Sequence, residues 1–237
     1  MKKVLLLEDG TSFPGEGFGA AGETMGWLHD ERRVVGYQEC LTDPDNRGCI
    51  VNMTYPLIGN YGVNGEDGES DRPQAAALVV KERSRIISNW RAAESLEALM
   101  ERWGVVGLEG VDTRAVALHL RAHGEMRAII APAGSSIAAL LAKVRAYEEP
   151  PPEGGDPRPE TVPPFEAGEG PRVAVLDCGC RYGYLRQLKA LSCRVRCFPP
   201  TATWEDIESS GADGLFVSNG PGSPEAMSAA RRTLEEA

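Results

Sequence analysis

The chain opens on an apolar run, Val4-Leu5-Leu6-Leu7, that ends at Glu8-Asp9. A short apolar run bounded by charge and a turn signal fits a buried β-strand, so residues 3–7 are predicted to be one. Asp9-Gly10 and the cluster Gly15, Gly17 and Gly19 read as turns. Residues 49–54 form a second β-rich run, followed by a loop marked by Pro56, Gly59, Asn60, Gly62 and Asn64. Residues 76–80 and 85–88 continue the strand pattern. Helical spacing then takes over. Leu96, Leu99 and Met100 share one face of a helix over 95–103, and residues 105–108 read as a short strand. Asp112 is an N-cap for a helix over 113–123, with Leu118 and Ala122 on one face and Gly124 closing it. A further helix over 136–147 places Ile137, Leu140, Leu141 and Val144 on one side. The pattern to this point is that of a mixed β-then-α domain.

Residues 148–170 carry seven prolines and several glycines, with no apolar period. Such a composition predicts a semi-extended linker between a domain over 1–147 and a second over 171–237. Beyond it the pattern alternates. Strands are predicted over 172–176, 194–198 and 214–218, and helices over 182–190, 202–209 and 225–236. Strand–helix alternation implies a parallel sheet with crossover helices, the beginning of a doubly wound α/β fold. Three strands are few for such a fold, which predicts a domain that is only partly present and less stable than the first.

Composition narrows the function. The content is 42% hydrophobic and 25% charged, that of a folded globular protein. The formal net charge of −10 opposes a nucleic-acid partner, because phosphate binding needs clustered Lys and Arg. The opening apolar run is too short for a signal peptide, and no stretch is long enough to span a bilayer, so a cytoplasmic protein with no membrane partner is expected.

Six cysteines without an export signal read as free thiols. Cys178-x-Cys180 and Cys193-x3-Cys197 invite a metal reading. However, residues four apart in a strand lie roughly 13 Å apart, too far for two ligands of one zinc with Zn–S bonds near ~2.3 Å. His119-Leu120-Arg121-Ala122-His123 has the i, i+4 spacing of a zinc helix but lacks its glutamate, and surface or capping histidines are expected. No Gly-x-Gly-x-x-Gly follows the strand at 172 and no Gly-x-x-x-x-Gly-Lys-Ser/Thr occurs, which disfavours a generic nucleotide-binding protein.

Several segments, in order, carry a family resemblance. They are Leu7-Glu8-Asp9-Gly10-Thr11-x-Phe13-x-Gly15, Gly36-Tyr37-Gln38-Glu39-x-Leu41-Thr42-Asp43-Pro44, and Thr54-Tyr55-Pro56-x-Ile58-Gly59-Asn60-Tyr61-Gly62. Ser88-Asn89-Trp90-Arg91, Gly110-Val111-Asp112-Thr113-Arg114, Asp177-x-Gly179 and Ser218-Asn219-Gly220-Pro221-Gly222-x-Pro224 follow. Together they resemble the small subunit of carbamoyl-phosphate synthase across all but the proline-rich segment.

The resemblance implies an N-terminal β/α domain peculiar to this subunit and then the first part of a doubly wound class I glutamine amidotransferase domain. It implies L-glutamine as substrate, hydrolysed through a Cys–His–Glu set, with the ammonia passed to a large partner subunit in a heterodimer. That partner uses ATP and bicarbonate to make carbamoyl phosphate for arginine and pyrimidine synthesis. No cofactor or metal is implied for this chain.

By resemblance, Gly220 and Gly222 touch the glutamine, and a backbone N–H of their loop helps hold the oxyanion. Asp45 occupies a third contact, usually a serine. A carboxylate there can pair with the amino group of glutamine, but it repels the α-carboxylate and lacks a hydroxyl donor.

The nucleophile of this family sits in a Gly-x-Cys-x-Gly-x-Gln turn, and none of the six cysteines has those surroundings. The triad is expected beyond Ala237, so these residues alone are expected to be inactive on glutamine. Other departures are Asp30-Glu31-Arg32-Arg33 in place of a Phe-Asn-Thr-Ser-like segment, Arg181 for a lysine and Gly183 for an asparagine. The competing expectation is a non-catalytic module that docks on the large subunit.

Overall fold

A computed structural model describes residues 1–148 and 164–237. The chain divides into two compact units, Met1–Glu149 and Pro150–Ala237. Most of the expected linker, residues 149–163, lies outside the described residues. Residues 164–170 form no regular element; the Gly170 carbonyl accepts from Arg194 Nε at 2.9 Å.

The first unit is a closed barrel. Its strands are β1 (Lys2–Leu7), β2 (Ser12–Gly19), β3 (Thr24–Glu31), β4 (Ile50–Met53), β6 (Ala77–Val79), β8 (Val106–Glu109) and β9 (Met126–Pro132), in the order β1-β2-β8-β6-β4-β3-β9. Two short strands, β5 (Leu57–Ile58) and β7 (Glu82–Arg83), pair outside it. The β3, β4, β6 and β8 neighbours run parallel, while β1, β2 and β9 close the barrel antiparallel.

Strand alternation sends every second residue inward. Leu5, Leu7, Leu28, Ile50, Ala77, Val79, Val106, Leu108, Ala128 and Ile130 form the inner core. Helix α3 (Thr113–His123) adds Val116 and Leu120 to the same cluster. The opposite face of β4 and β6 packs under α1 (Tyr37–Thr42) and α2 (Leu96–Trp103), and α4 (Ile137–Arg145) covers Leu6, Ile129 and Ala131 with Leu140 and Val144. Ser95, Asp112 and Ser136 cap α2, α3 and α4 by accepting from the third backbone N–H beyond each, as their residue types favour.

Several expectations are corrected. Gly15, Gly17 and Gly19 are not turn residues; they lie within β2, where they make room for neighbours. A Cβ on Gly15 would stand 2.6 Å from the Glu109 carbonyl oxygen, and one on Gly17 would stand 2.7 Å from Lys3 Cε. Residues 85–88 form no strand, because Ser84 and Asn60 take their hydrogen bonds instead: Ile86 N donates to Ser84 Oγ at 3.4 Å and Ser88 N to Asn60 O at 2.8 Å. The buried face of α3 is Thr113, Val116 and Leu120, not Leu118 and Ala122, since the helix turns those three toward the barrel interior. Ile137 is likewise exposed, leaving Leu140 and Val144 as the α4 contact.

The second unit holds three parallel strands, β10 (Arg172–Leu176), β11 (Arg194–Phe198) and β12 (Gly214–Val217), in the order β11-β10-β12. They alternate with α5 (Tyr182–Ala190), α6 (Trp204–Ser209) and α7 (Ser228–Glu236). One core joins Ala174, Leu176 and Phe198 to Ile207, Met227 and Ala230. Thr203 and Asp206 form a capping box on α6, and buried Thr233 donates to the Ala202 carbonyl at 2.6 Å, tying α7 to the start of α6. At the foot of β10, Arg172 grips Asp213 at 3.0 Å, and that hydrogen bonding holds the Asp213 carboxyl down at about 2. Among the described residues no helix is long and apolar enough to cross a membrane.

Lys3 brings a charged side chain into the barrel's apolar lining. It is only 4% exposed, alternates with Leu5 and Leu7, and fills the space left by Gly17 with its aliphatic stem, while its Nζ makes no hydrogen bond. Burial lowers its pKa below the ordinary lysine value. Replacing it by an apolar side chain of similar length removes that cost, so Lys3→Met is expected to raise unfolding stability by about 1 kcal/mol in urea titrations near pH 7. The unfolded chain binds the lysine proton more tightly than the folded one. Native stability therefore rises with pH up to the ordinary lysine range. Lys3→Met should flatten that slope, and an unchanged slope would show that Lys3 is solvated.

Candidate functional site

In the second unit the middle strand is first in sequence and its neighbours are second and third, so the chain leaves β10 in opposite directions at β11 and β12. In open parallel sheets the crevice at such a switch point, outside the carboxyl ends of the strands, is where ligands bind. Two loops meet there. One follows β10, Asp177-Cys178-Gly179-Cys180-Arg181, and the other follows β12, Ser218-Asn219-Gly220-Pro221-Gly222.

The loops are fastened to each other. Cys178 N donates to Ser218 Oγ at 2.9 Å, and the Ser218 hydroxyl donates to the Asn219 carbonyl at 2.6 Å. Asp177, buried at the end of its strand, accepts from Gly179 N at 3.0 Å and Cys180 N at 2.7 Å, folding the first loop back on itself before α5 begins. An aspartate that binds backbone N–H groups two and three residues ahead is a turn former.

Gly220 completes the packing. A Cβ at this position would stand 1.8 Å from the Cys178 carbonyl oxygen, so only glycine lets the loops approach this closely. Gly222 has φ +76°, a left-handed conformation that favours glycine. Ser223 then caps the 3-10 turn Pro224–Ala226 ahead of α7.

Cys178 is half-buried in this crevice. Burial, and then the charge of Asp177, push its thiol pKa up, so it stays protonated near neutral pH and is a poor nucleophile. The chain's three histidines, His29, His119 and His123, all belong to the first unit. On the barrel, Cys49 Sγ lies 3.8 Å from His29 Nε2. His119 Nε2 donates to the Asp9 carboxylate at 2.7 Å, and its ring lies tilted against His123, 4.5 Å between ring centres. All six cysteines are free thiols.

Asp45 lies in the first unit, in the 3-10 turn Pro44–Asn46 that follows α1. It is half-buried, and its backbone N–H donates to Asp43 Oδ1 at 3.1 Å. The surrounding structure fixes that turn from several sides. Asn46 Nδ2 donates to the Cys40 carbonyl at 2.9 Å, and Thr42 Oγ1 accepts from Glu69 N at 2.8 Å. Gln38 exchanges two hydrogen bonds with the Asn64 backbone, at 2.5 and 2.9 Å. Tyr61 reaches the start of α1, its hydroxyl accepting from Gly36 N at 2.7 Å and Tyr37 N at 3.2 Å, while the Tyr37 hydroxyl donates to the Gly62 carbonyl at 2.6 Å. The two tyrosine rings stack 4.1 Å apart.

Gly220 and Gly222 thus share one loop, brought against residues 177–181, and Asp45 sits in a separately braced turn of the other unit. Sequence reading placed Ser218 at the head of the glycine motif but gave no role to its hydroxyl, which joins the two loops. Its signal was its place as the last residue before the Asn219-Gly220-Pro221-Gly222 turn.

Doubly wound topology with a glycine-built loop at the switch point marks the second unit as an open α/β domain, a class whose ligand sites lie at the carboxyl edge of the sheet. Residues 174–237 match the family described as glutamine amidotransferase class-I, and residues 5–130 match carbamoyl-phosphate synthase small chain, CPSase domain. The chain is 42% identical over 249 residues to the carbamoyl phosphate synthase small chain of Akkermansia muciniphila, covering 99% of this chain and 66% of that protein. It is 39% identical over 229 residues to the pyrimidine-specific small chain of Halalkalibacterium halodurans, covering 96% and 63%. With the small chain of Symbiobacterium thermophilum it shares 43% over 226 residues, covering 92% and 61%. The chain belongs to the carbamoyl-phosphate synthase small chain family. It spans about two thirds of the length of these relatives.

The Gly220–Cys178 contact gives a direct test of the crevice. Gly220→Ala must push the two loops apart, and overpacking of this kind costs about 1–3 kcal/mol. The second unit should lose stability in amide-exchange or proteolysis measurements while the barrel is unaffected. Equal protection of residues 172–218 in the variant would mean that the loops are not packed as described.

Proposed function

We propose that this chain is the glutamine-handling part of a carbamoyl-phosphate synthase small subunit, binding L-glutamine at the crevice formed by residues 177–181 and 218–222. The observation that carries this reading is the close seating of the glycine loop of Gly220 and Gly222 against the β10 loop at the switch point. Glycines there leave backbone N–H groups open to a ligand carbonyl or carboxylate, as a preformed anion-accepting surface. Gly220 and Gly222 are the proposed contacts, with a backbone N–H of their loop facing the amide oxygen as it gains charge during hydrolysis.

Asp45 is the third proposed contact. Its carboxylate pairs with the amino group of glutamine and repels the α-carboxylate, which weakens binding relative to a serine. The ammonia released by hydrolysis passes to a large partner subunit in a heterodimer. That subunit consumes the ATP, so this chain needs neither cofactor nor metal of its own. The setting is cytoplasmic and serves pyrimidine or arginine synthesis.

These 237 residues by themselves bind glutamine without cleaving it. Cleavage by a cysteine needs a thiolate with a base in reach, and the second unit holds no histidine while burial keeps Cys178 protonated. That observation also supports a second reading, in which the chain docks on the large subunit without supplying ammonia.

Calorimetric titration with L-glutamine, paired with an ammonia assay, separates the readings. Saturable binding with no ammonia release is expected. Ammonia release would overturn the inactivity, and an absence of binding would leave the docking reading. Asp45→Ser should tighten glutamine binding roughly fivefold, the equivalent of about 1 kcal/mol of relieved charge repulsion. Weaker binding in that variant would show that Asp45 serves chiefly as the partner of the amino group.

A further inference from the structure

Between β7 and α2 the barrel unit carries a loop whose apolar side chains face water. Trp90 is 93% exposed and Ile86 is 75% exposed, with Ile87 partly so beside them. Single exposed apolar residues are ordinary, but a tryptophan and two isoleucines within five positions form a patch that soluble surfaces seldom leave bare.

The loop is not slack. Ser84 N donates to the Ile58 carbonyl at 2.8 Å and Ser88 N to the Asn60 carbonyl at 2.8 Å, which pins its first half to the segment beneath. Asn89 Oδ1 accepts from Arg91 N at 3.0 Å, and Arg91 reaches across to Glu66 at 2.9 Å and Asp67 at 2.8 Å, which pins its second half. Ile87 rests against the turn at Gly62. The backbone that carries the aromatic ring is therefore held by hydrogen bonds and ion pairs on both sides, and little loop entropy remains to be lost on binding.

The same ion pairs place an acidic loop next to the patch. Glu66, Asp67, Glu69 and Asp71 occur within six residues, and Arg91 stands against two of them. The neighbouring Glu39 carboxyl is pushed upward, first by burial and then by the charges of Asp67 and Glu69, so negative potential accumulates here. The loop's other cation, Arg85, is turned to Glu109 at 2.8 Å.

We propose that residues 84–92 are a docking knob for the large synthase subunit, with Trp90 and Ile86 seated in an apolar pocket of that subunit rimmed by basic side chains. The proposal rests on the reading above that a large subunit is the partner. The acidic border opposes a second copy of this chain, whose net charge is −10, and favours a basic rim opposite. Rigid, exposed tryptophans surrounded by polar residues are the side chains that dominate association energy.

The test mixes the 237-residue chain with the large subunit encoded by the same organism and follows binding by sedimentation and tryptophan fluorescence. The intact chain should bind, with a blue shift that is absent in Trp90→Phe. Trp90→Ala and Ile86→Asp should each weaken binding at least tenfold at unchanged melting temperature, since neither side chain is packed in the fold. Glu66→Lys with Asp71→Lys should weaken it further and reduce its sensitivity to salt. If the intact chain binds and the Trp90 and Ile86 variants bind equally well, the knob is wrong and the partner reading survives. If the intact chain does not bind, both fall. Self-association that Trp90→Ala abolishes would overturn the proposal in favour of a second copy.

Discussion

The barrel closes because β2 can lie between β1 and β8 without side chains at two of its inward positions. Gly15 and Gly17 face Leu108, Glu109 and Lys3 at distances that leave no room for a Cβ. On the outer side the relation is reversed. Gly107 leaves a gap on β8 that the Phe18 ring fills, and Arg83 lies over that ring at 5.0 Å, paired with Glu97 and Glu109. One strand thus gives up bulk inward and supplies it outward. The parallel run β3-β4-β6-β8 would otherwise be an open sheet with two edges, and closure removes both. The braced turn that bears Asp45 hangs from the outer face of this barrel, so its position depends on the closure.

The second unit uses the same steric device for another end. At Gly220 the missing Cβ lets one loop rest on the carbonyl of another, and the contact lies where the sheet reverses its winding. Ser218 adds the hydrogen bond that fixes their separation. The site is therefore built of backbone held in place by small residues. This explains why glycine, serine and aspartate mark it in the sequence.

How much of this was legible follows from the range of the interactions involved. Elements set by local chemistry were readable: the caps at Ser95, Asp112 and Ser136 fix helix starts through bonds three residues long, and the alternation after residue 171 announces parallel strands. Elements set by distant neighbours were not. Gly15 looks like a turn residue because the reason for it lies about ninety residues away, at Leu108 and Glu109, and Gly17 because its reason is Lys3 on the neighbouring strand. Helix α1 was unreadable for a similar reason: its first N–H groups are capped by Tyr61, twenty-five residues on, and not by a side chain in sequence. Leu118 suggested the wrong face of α3 because an apolar residue may face water, whereas Thr113 and Val116 are drawn inward by the barrel's open end. The candidate loop of Gly220 and Gly222 could be named from its motif, but not its dependence on Cys178 and Ser218.

The thiols show why residue type alone does not make a catalytic site. Cys178 stands at the carboxyl end of a strand, in the crevice, at a place where a nucleophile would be useful. Yet its neighbours act against a thiolate: burial removes water from it and Asp177 adds like charge. The same aspartate is indispensable to the loop, because it accepts the two N–H groups that turn the chain toward α5. The residue that shapes the crevice thus adds its charge to the burial that chiefly silences the cysteine. Backbone groups fixed in this way suit the holding of the glutamine proposed for the crevice, whereas a cysteine nucleophile needs surroundings of the opposite kind, with a base or a positive field beside the sulfur.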